Sequence, residues 1–357
     1  MRPKLRSSLY LVALLPQDSF VKFVSDRMAC GLAIIVRSSY YYFKGQDEWK
    51  FLGDTFDDLS NFELARGLVF DGIASTIEYA IPPNPTKDLD AYEAKLKEKP
   101  ALSIPACNAL QRNLFKYIYG AYHKDFSLCV PAMLCLEKVY RHLSLMLLIL
   151  KKNDKARDPS APVGTVPDVD LWHRVAVALY SVCGSLDVEA SKHGWECFQR
   201  VVLSTVVDDV PDEKWIAFLT LISSKYPPVT AEVSRVNTFS VFGQLMIRVL
   251  PSLTQRQKNW KPLTDITKNF AVLADENLRD GRSIKALFEY TLQTVTFLSN
   301  KMASPDFAGD KRYSAWASET LLTVLEKNGA GGGASKNKAL TKKGKGGGAN
   351  GAVENGV

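Results

Sequence analysis

Between Gly194 and Leu273 the chain has one economical way to bury its apolar residues, which is helix against helix. The stretch reads GWECFQRVVLSTVV, DEKWIAFLTLISSKY, VSRVNTFSVFGQLMIRVLPSL and NWKPLTDITKNFAVL, with breaks at Asp208–Asp212, Pro227–Pro228 and Leu253–Gln257. Within each piece apolar residues recur at three- and four-residue steps, the period of one helix face. A single such helix cannot cover that face alone, so the pieces must stack as hairpins, each on its neighbour.

Tryptophan marks the rhythm. LWHRVAVALYSVC, KWIAFLTLISSKY and NWKPLTDITKNFAVL each place Trp second and an apolar residue three further on, at Val175, Phe218 and Leu263. Leu179 and Ile222 keep an aliphatic residue at the seventh step, where the third piece has Thr267, and Trp49, Leu52 and Phe56 repeat the spacing earlier. Trp172 and Trp215 lie 43 residues apart, and Trp215 and Trp260 lie 45 apart. Both fall within the period of about 40–47 residues of HEAT and armadillo repeats. Trp316 comes 56 residues later, so the last unit is stretched. The pattern predicts an all-α, HEAT/armadillo-like α-solenoid of stacked helical hairpins, with about twelve helices. In it, the buried tryptophans Trp195, Trp215 and Trp260 serve stability.

The remaining chain fits this reading. Phe20 to Phe43 reads as a helix ended by Gly45, DEWKFLGDTFDDLS as a second, and FELARGLVFDGIASTIEYAI as a third closed by Pro82-Pro83-Asn84-Pro85. Thr86 to Pro100 reads as a solvent-facing connection with a short helix. Helices over about 106–123 and 125–153 follow, with Pro131 kinking the second or sitting in its first turn. DKARDPSAPVGTVP, from Asp154 to Pro167, is a loop and a candidate seam. The expected organisation is helical repeats over 1–153, a linker at 154–167, HEAT-like repeats over 168–327 capped by Asp310–Lys327, and a disordered Gly/Lys-rich tail over 328–357.

The net charge of +7 belongs largely to that tail, where six lysines from Lys327 onward face Glu354 alone. The body carries only +2, which argues against a nucleic-acid surface. Lys336, Lys338, Lys342, Lys343 and Lys345 are candidate contacts for an anionic membrane, worth about 1 kcal/mol each near the surface. The competing role is a solubilising end. Six cysteines lie mostly in apolar helical runs without C-x-x-C spacing and read as reduced core residues of a cytosolic protein. Arg2, Lys4 and Arg6 precede a seven-residue apolar run from Leu9 to Leu15, but no small-x-small cleavage site follows, so an ordinary first helix is expected. No apolar run approaches the roughly 20 residues of a membrane span.

Reaction chemistry is hard to find. His123, His142, His173 and His193 sit in no ligand or nucleophile pattern, and neither phosphate-binding glycine motif occurs. Asp57-Asp58 and Asp208-Asp209 fall at helix ends, where capping or solvent-facing roles are expected. Tyr40-Tyr41-Tyr42 lacks interleaved basic residues and reads as helix packing rather than a stacking surface. No cofactor, metal or catalytic residue is expected.

HGWECFQRVVLSTVV (His193–Val207) and SRVNTFSVFGQLMIRVLPSLTQRQKNWKPLTDITKNF (Ser234–Phe270) resemble the C-terminal helical regions of large ARF guanine-nucleotide exchange factors, the Golgi brefeldin-A-resistance and GNOM class. DEWKFLGDTFDDLSNFELARGLVFDGIASTIEYAI resembles them more faintly. The resemblance implies a cytosolic α-solenoid, peripheral to Golgi membranes, that helps recruit an exchange factor acting in vesicle transport. Its partners would be an ARF-type small GTPase or other domains of a parent exchange factor. The family's catalytic loop, of F-x-L-P-G-E type, is missing here, so the resemblance implies a non-catalytic regulatory region. The alternative is an independent helical-repeat adaptor that binds proteins.

Overall fold

The computed structural model describes residues 24–82, 88–119, 126–157, 169–185, 187–204, 210–224, 232–280 and 285–328. The start of the first helix, His123, Asp208-Asp209, nearly all of the 154–167 loop and the tail lysines from Lys336 to Lys345 lie outside them. The described residues are all-helical, with thirteen α-helices and no strand. Two compact units divide the chain, Met1–Pro211 with Pro227–Thr230, and Asp212–Tyr226 with Ala231–Val357.

The first unit holds α1 (Ser25–Ser39), a 3₁₀ turn (Tyr40–Tyr42), α2 (Gln46–Leu59), α3 (Glu63–Ala80), α4 (Leu89–Glu98), α5 (Ile104–Tyr119), α6 (Cys129–Arg157), α7 (Val169–Cys183) and α8 (Val188–Ser204). The pairings have an order. Hairpin partners α2 and α3, α5 and α6, and α7 and α8 touch, while α2 meets α5 and α5 meets α7 in one row. In a second row α3 meets α6 and α6 meets α8, with α1 laid against α3 and α4 against α6. The second unit repeats the scheme with α9 (Asp212–Ser224), α10 (Glu232–Leu253), α11 (Trp260–Asp280), α12 (Lys285–Ala303) and α13 (Lys311–Lys327). There α9, α11 and α13 form one row and α10 and α12 the other.

This order explains the tryptophan period. Trp49, Trp172 and Trp215 are each the fourth residue of a first-row helix, and Trp260 is the first residue of another. Trp49 Nε1 donates to Phe43 O at 2.7 Å, and Trp260 Nε1 donates to Thr254 O at 2.8 Å. Both bonds reach six residues back, so the indole ties each helix start to the turn before it. Trp49, Trp172, Trp195 and Trp215 are buried. Trp260, expected to be buried too, is only half-buried, with the Arg312 guanidinium 5.4 Å above its ring. As the first residue of α11, it rims the helix instead of lying a turn inside the row. Trp316 is likewise half-buried, and Tyr313, Ala317 and Leu321 carry the packing of α13.

Local signals set the ends. Asp88 and Asp310 cap α4 and α13, each carboxylate accepting from backbone N–H groups two and three residues on. Pro131 sits in the first turn of α6, where a missing N–H costs nothing. Polar side chains then pin row neighbours together. Between α2 and α5, Asn113 donates to Gly53 O at 2.9 Å and to Asp57 at 2.6 Å. Asp57 is therefore a helix–helix acceptor, whereas Asp58 faces solvent as expected. Between α6 and α8, Arg200 grips Glu137 with two bonds of 2.9 and 2.8 Å, and Arg141 adds a third at 2.7 Å. At the end of the second unit, Asp275 accepts from Arg279, Lys327 and Asn328, which holds its carboxyl below the usual range.

The two compact units meet in sequence at Pro211/Asp212, and α7 and α8 stack on α5 and α6 within the first of them. One expectation changes here. The segment from Thr86 to Pro100 is more than a solvent-facing connection. Its helix α4 inserts Tyr92, fully buried, whose hydroxyl donates to His142 Nδ1 at 2.5 Å. His142 Nε2 in turn donates to Leu102 O at 3.1 Å, which fixes the neutral tautomer. Burial pushes the His142 pKa below its ordinary 6.5 and the Tyr92 phenol upward. With its folded pKa lowered, His142 binds its proton more readily in the unfolded chain. Stability is therefore complete above about pH 6.5 and falls as pH drops toward the folded pKa. Tyr92→Phe leaves Nδ1 buried without a donor and is expected to cost about 1–2 kcal/mol, read as a lower urea midpoint at pH 7.5.

Candidate functional site

A candidate site lies where α1 and α3 end side by side. Ala33 meets Gly72 and Tyr40 meets Tyr79, so the two helices run in the same direction. The chain leaves α1 through the Tyr40–Tyr42 turn, which sends three consecutive tyrosines different ways. Tyr40 turns inward, and its hydroxyl donates to Pro100 O. Tyr41 and Tyr42 stay outside at 39% and 59% exposure, their ring centroids 4.3 Å apart. On α3, Tyr79 is 56% exposed. The expectation that this run is helix packing holds for Tyr40 and fails for its two neighbours. A 3₁₀ turn spaces residues by about 120°, so three in a row cannot share one buried face.

These residues open a cavity of about 680 Å³ lined by Arg37, Ser38, Tyr41, Ser75, Glu78 and Tyr79. That volume suits a drug-sized ligand or a few peptide side chains. Basic groups missing from the local sequence arrive in space. Lys99 places its ammonium 3.3 Å above the Tyr79 ring and donates to Tyr79 O at 2.5 Å, closing the end of α3. Lys138 of α6 holds Glu78 at 2.8 Å. Arg37 is exposed and makes no ion pair with any described residue.

The site is built for contact rather than for proton transfer. The Tyr40 pKa is raised by burial and that of Tyr41 by its hydrogen bond to Tyr42, so both phenols stay protonated at neutral pH. Elsewhere, burial pushes the thiols of Cys107 and Cys197 up to about 12 and those of Cys129 and Cys135 up to about 11. Cys107, Cys129 and Cys197 are buried core residues and Cys135 is half-buried, and thiols with pKa values raised this far are poor nucleophiles. Among the described residues no group of His, Cys, Asp or Glu could hold a metal ion. His193 lies between Glu189 and Glu196 on the face of α8, and His173 is half-buried beside Trp172.

No family model, curated protein or solved structure matches this chain.

The stretches that carry the resemblance to exchange-factor helices map onto α8 and onto α10 with α11. Their apolar residues are core: Trp195, Phe198 and Val201 in α8, Phe239 and Phe242 in α10, and Phe270 in α11 are all buried. The tyrosine cavity belongs to neither of these, but the fainter third stretch, over α2 and α3, supplies its Ser75, Glu78 and Tyr79. Its sequence signal was the YYY run followed by a charged helix start, but the partners Ser75, Glu78, Tyr79, Lys99 and Lys138 come from three later segments. No helix among the described residues is long and apolar enough to cross a membrane.

Proposed function

We propose that this chain is a HEAT/armadillo-like α-solenoid that acts by presenting its surface to other macromolecules, with no reaction centre of its own. The observation that carries this reading is the pairing order in each unit. Hairpin helices meet their hairpin partners and, row by row, helices of the next hairpin, which is how repeat stacks bury otherwise thin hairpins. The tryptophans support it, because Trp49, Trp172 and Trp215 each stand fourth in a helix, the first two in one row of the first unit and the third in a row of the second.

For its setting we propose the one implied by the resemblance of His193–Val207 and Ser234–Phe270: the regulatory, membrane-recruiting region of an ARF exchange factor in Golgi vesicle transport, peripheral to the membrane and cytoplasmic. The lysines Lys336, Lys338, Lys342, Lys343 and Lys345 would add an electrostatic contact with anionic lipid. In a nucleotide-exchange assay on an ARF-type small GTPase, this chain alone is expected to give no acceleration. A robust rate would overturn the non-catalytic reading. Flotation with anionic liposomes is expected to weaken when residues 328–357 are removed and when salt is raised. Equal flotation of both forms would sink the lysine contact. An independent protein-binding adaptor remains the second reading, favoured by the exposed tyrosine cavity. It is distinguished by a coding sequence that carries no exchange domain in frame upstream of Met1.

A further inference from the structure

The α1–α3 cavity lies outside the two stretches that carry most of the resemblance, takes Ser75, Glu78 and Tyr79 from the fainter third one, and is left unused by the function above. Its electrostatics decide what it can hold. Glu78 and Lys138 cancel as a pair. The carbonyl ends of α1 and α3 each contribute about half a unit of negative charge. Against them stand two full cations without carboxylate partners among the described residues, Arg37 on the cavity lining and Lys99 over the Tyr79 ring. Among the described residues about one unit of positive charge is left over, and Arg37, on the lining, is the group placed to use it.

The walls add shape. Tyr41 and Tyr79 offer large ring faces without being buried, while Ser38 and Ser75 set hydroxyls beside them. Tyrosine presents broad amphipathic area at low entropic cost, and arginine recognises carboxylates with a planar, two-pronged fork. A cavity of about 680 Å³ accommodates one ring-bearing side chain with its neighbours and is too small for a folded surface.

We infer that this cavity is a docking site for an acidic peptide segment, in which an aromatic side chain or proline lies against Tyr41 and Tyr79 and an adjacent carboxylate pairs with Arg37. The inference rests on the scaffold reading and names the partner that one of its surfaces takes. Lys99 steadies the site from behind by holding Tyr79 in place through its backbone carbonyl and its ring. Glu78, held by Lys138, leaves the anion site at Arg37 open.

The test is selection of random 12-residue peptides displayed on phage against the full chain, followed by fluorescence anisotropy of the enriched peptides with purified variants. Arg37→Glu and Tyr79→Ala alter exposed side chains, and circular dichroism melting verifies that both variants keep the fold. The expected consensus places Asp or Glu within two positions of Phe, Tyr, Trp or Pro. Each variant is expected to weaken binding of that peptide at least about tenfold. A consensus that is basic or purely apolar overturns the inference, as does a consensus whose binding survives both variants. In that last case the chain still binds peptides elsewhere and the scaffold reading stands. Absence of enrichment counts against the inference and the scaffold reading together. Retention on anionic vesicles that depends on Arg37, without peptide binding, would assign the cavity to lipid and overturn the peptide.

Discussion

Phe270→Ala is expected to be among the most damaging single substitutions in the second unit, costing about 3–5 kcal/mol. Phe270 is fully buried in α11 and stacks on Phe239 at 4.4 Å with an interplanar angle of 14°. It also meets Phe242 edge-on at 4.9 Å and 88°. Truncation removes the ring, leaves a cavity between α10 and α11, and forfeits two aromatic contacts worth about 0.5–1.5 kcal/mol each. Part of that aromatic gain is already within the measured range for such truncations, so the two figures are not summed. The readout is a lower urea midpoint, together with faster amide exchange across α10 and α11. Phe270→Leu keeps much of the volume and is expected to lose distinctly less. Equal losses from Ala and Leu would show that the ring geometry, and not the cavity, dominates.

Gly72→Ala is the second large effect, and its sign is opposite to that of helix propensity. In an exposed helix interior the change would gain about 1 kcal/mol. Here a β-carbon on residue 72 would stand 2.4 Å from Ala33 Cβ and 3.0 Å from Ala33 Cα. The second of these is backbone, so no rotamer change relieves it. Overpacking of this kind costs about 1–3 kcal/mol, and the crossing of α1 on α3 has to widen. The net expectation is a loss of about 1–2 kcal/mol in the first unit, and more with Val than with Ala. Ala33→Gly in the same chain should recover part of the loss, because it removes the closer contact and leaves the farther one. The same widening moves Arg37 and Tyr41 away from Ser75 and Tyr79, so peptide binding at the cavity should weaken in Gly72→Ala and return with Ala33→Gly. Stabilisation by Gly72→Ala would mean that the two helices do not approach this closely.

These two sites differ in how far the sequence reveals them. Phe270 is legible: it falls on the apolar stripe of NWKPLTDITKNFAVL with Leu263 and Ile266, and its burial follows from the helical period. Gly72 is not. It stands in a helix interior, where propensity alone would count it as a weakness, and only the approach of Ala33 explains it. Tyr92 and His142 teach the same lesson. They lie 50 residues apart, Tyr92 in a segment whose charges suggest solvent and His142 in a long apolar helix, and nothing local joins them.

The chain's own letters determined that it would be helical, roughly where its helices begin and end, and that Trp49, Trp172 and Trp215 hold equivalent places. Each of those properties depends on neighbours within a turn or two along one helix, and hydrophobic period, capping residues and proline position express them directly. Tertiary structure alone decided which helix covers which face. It placed α1 on α3 across the intervening α2, packed α7 and α8 onto α5 and α6, half-exposed Trp260, and gathered Arg37, Tyr41, Ser75 and Tyr79 around one cavity. The physical reason is that burial is non-directional. An apolar stripe states that something must cover it, but the choice among possible covers rests on shape, small-residue crossings and long-range polar pairs, which are properties of two helices at once.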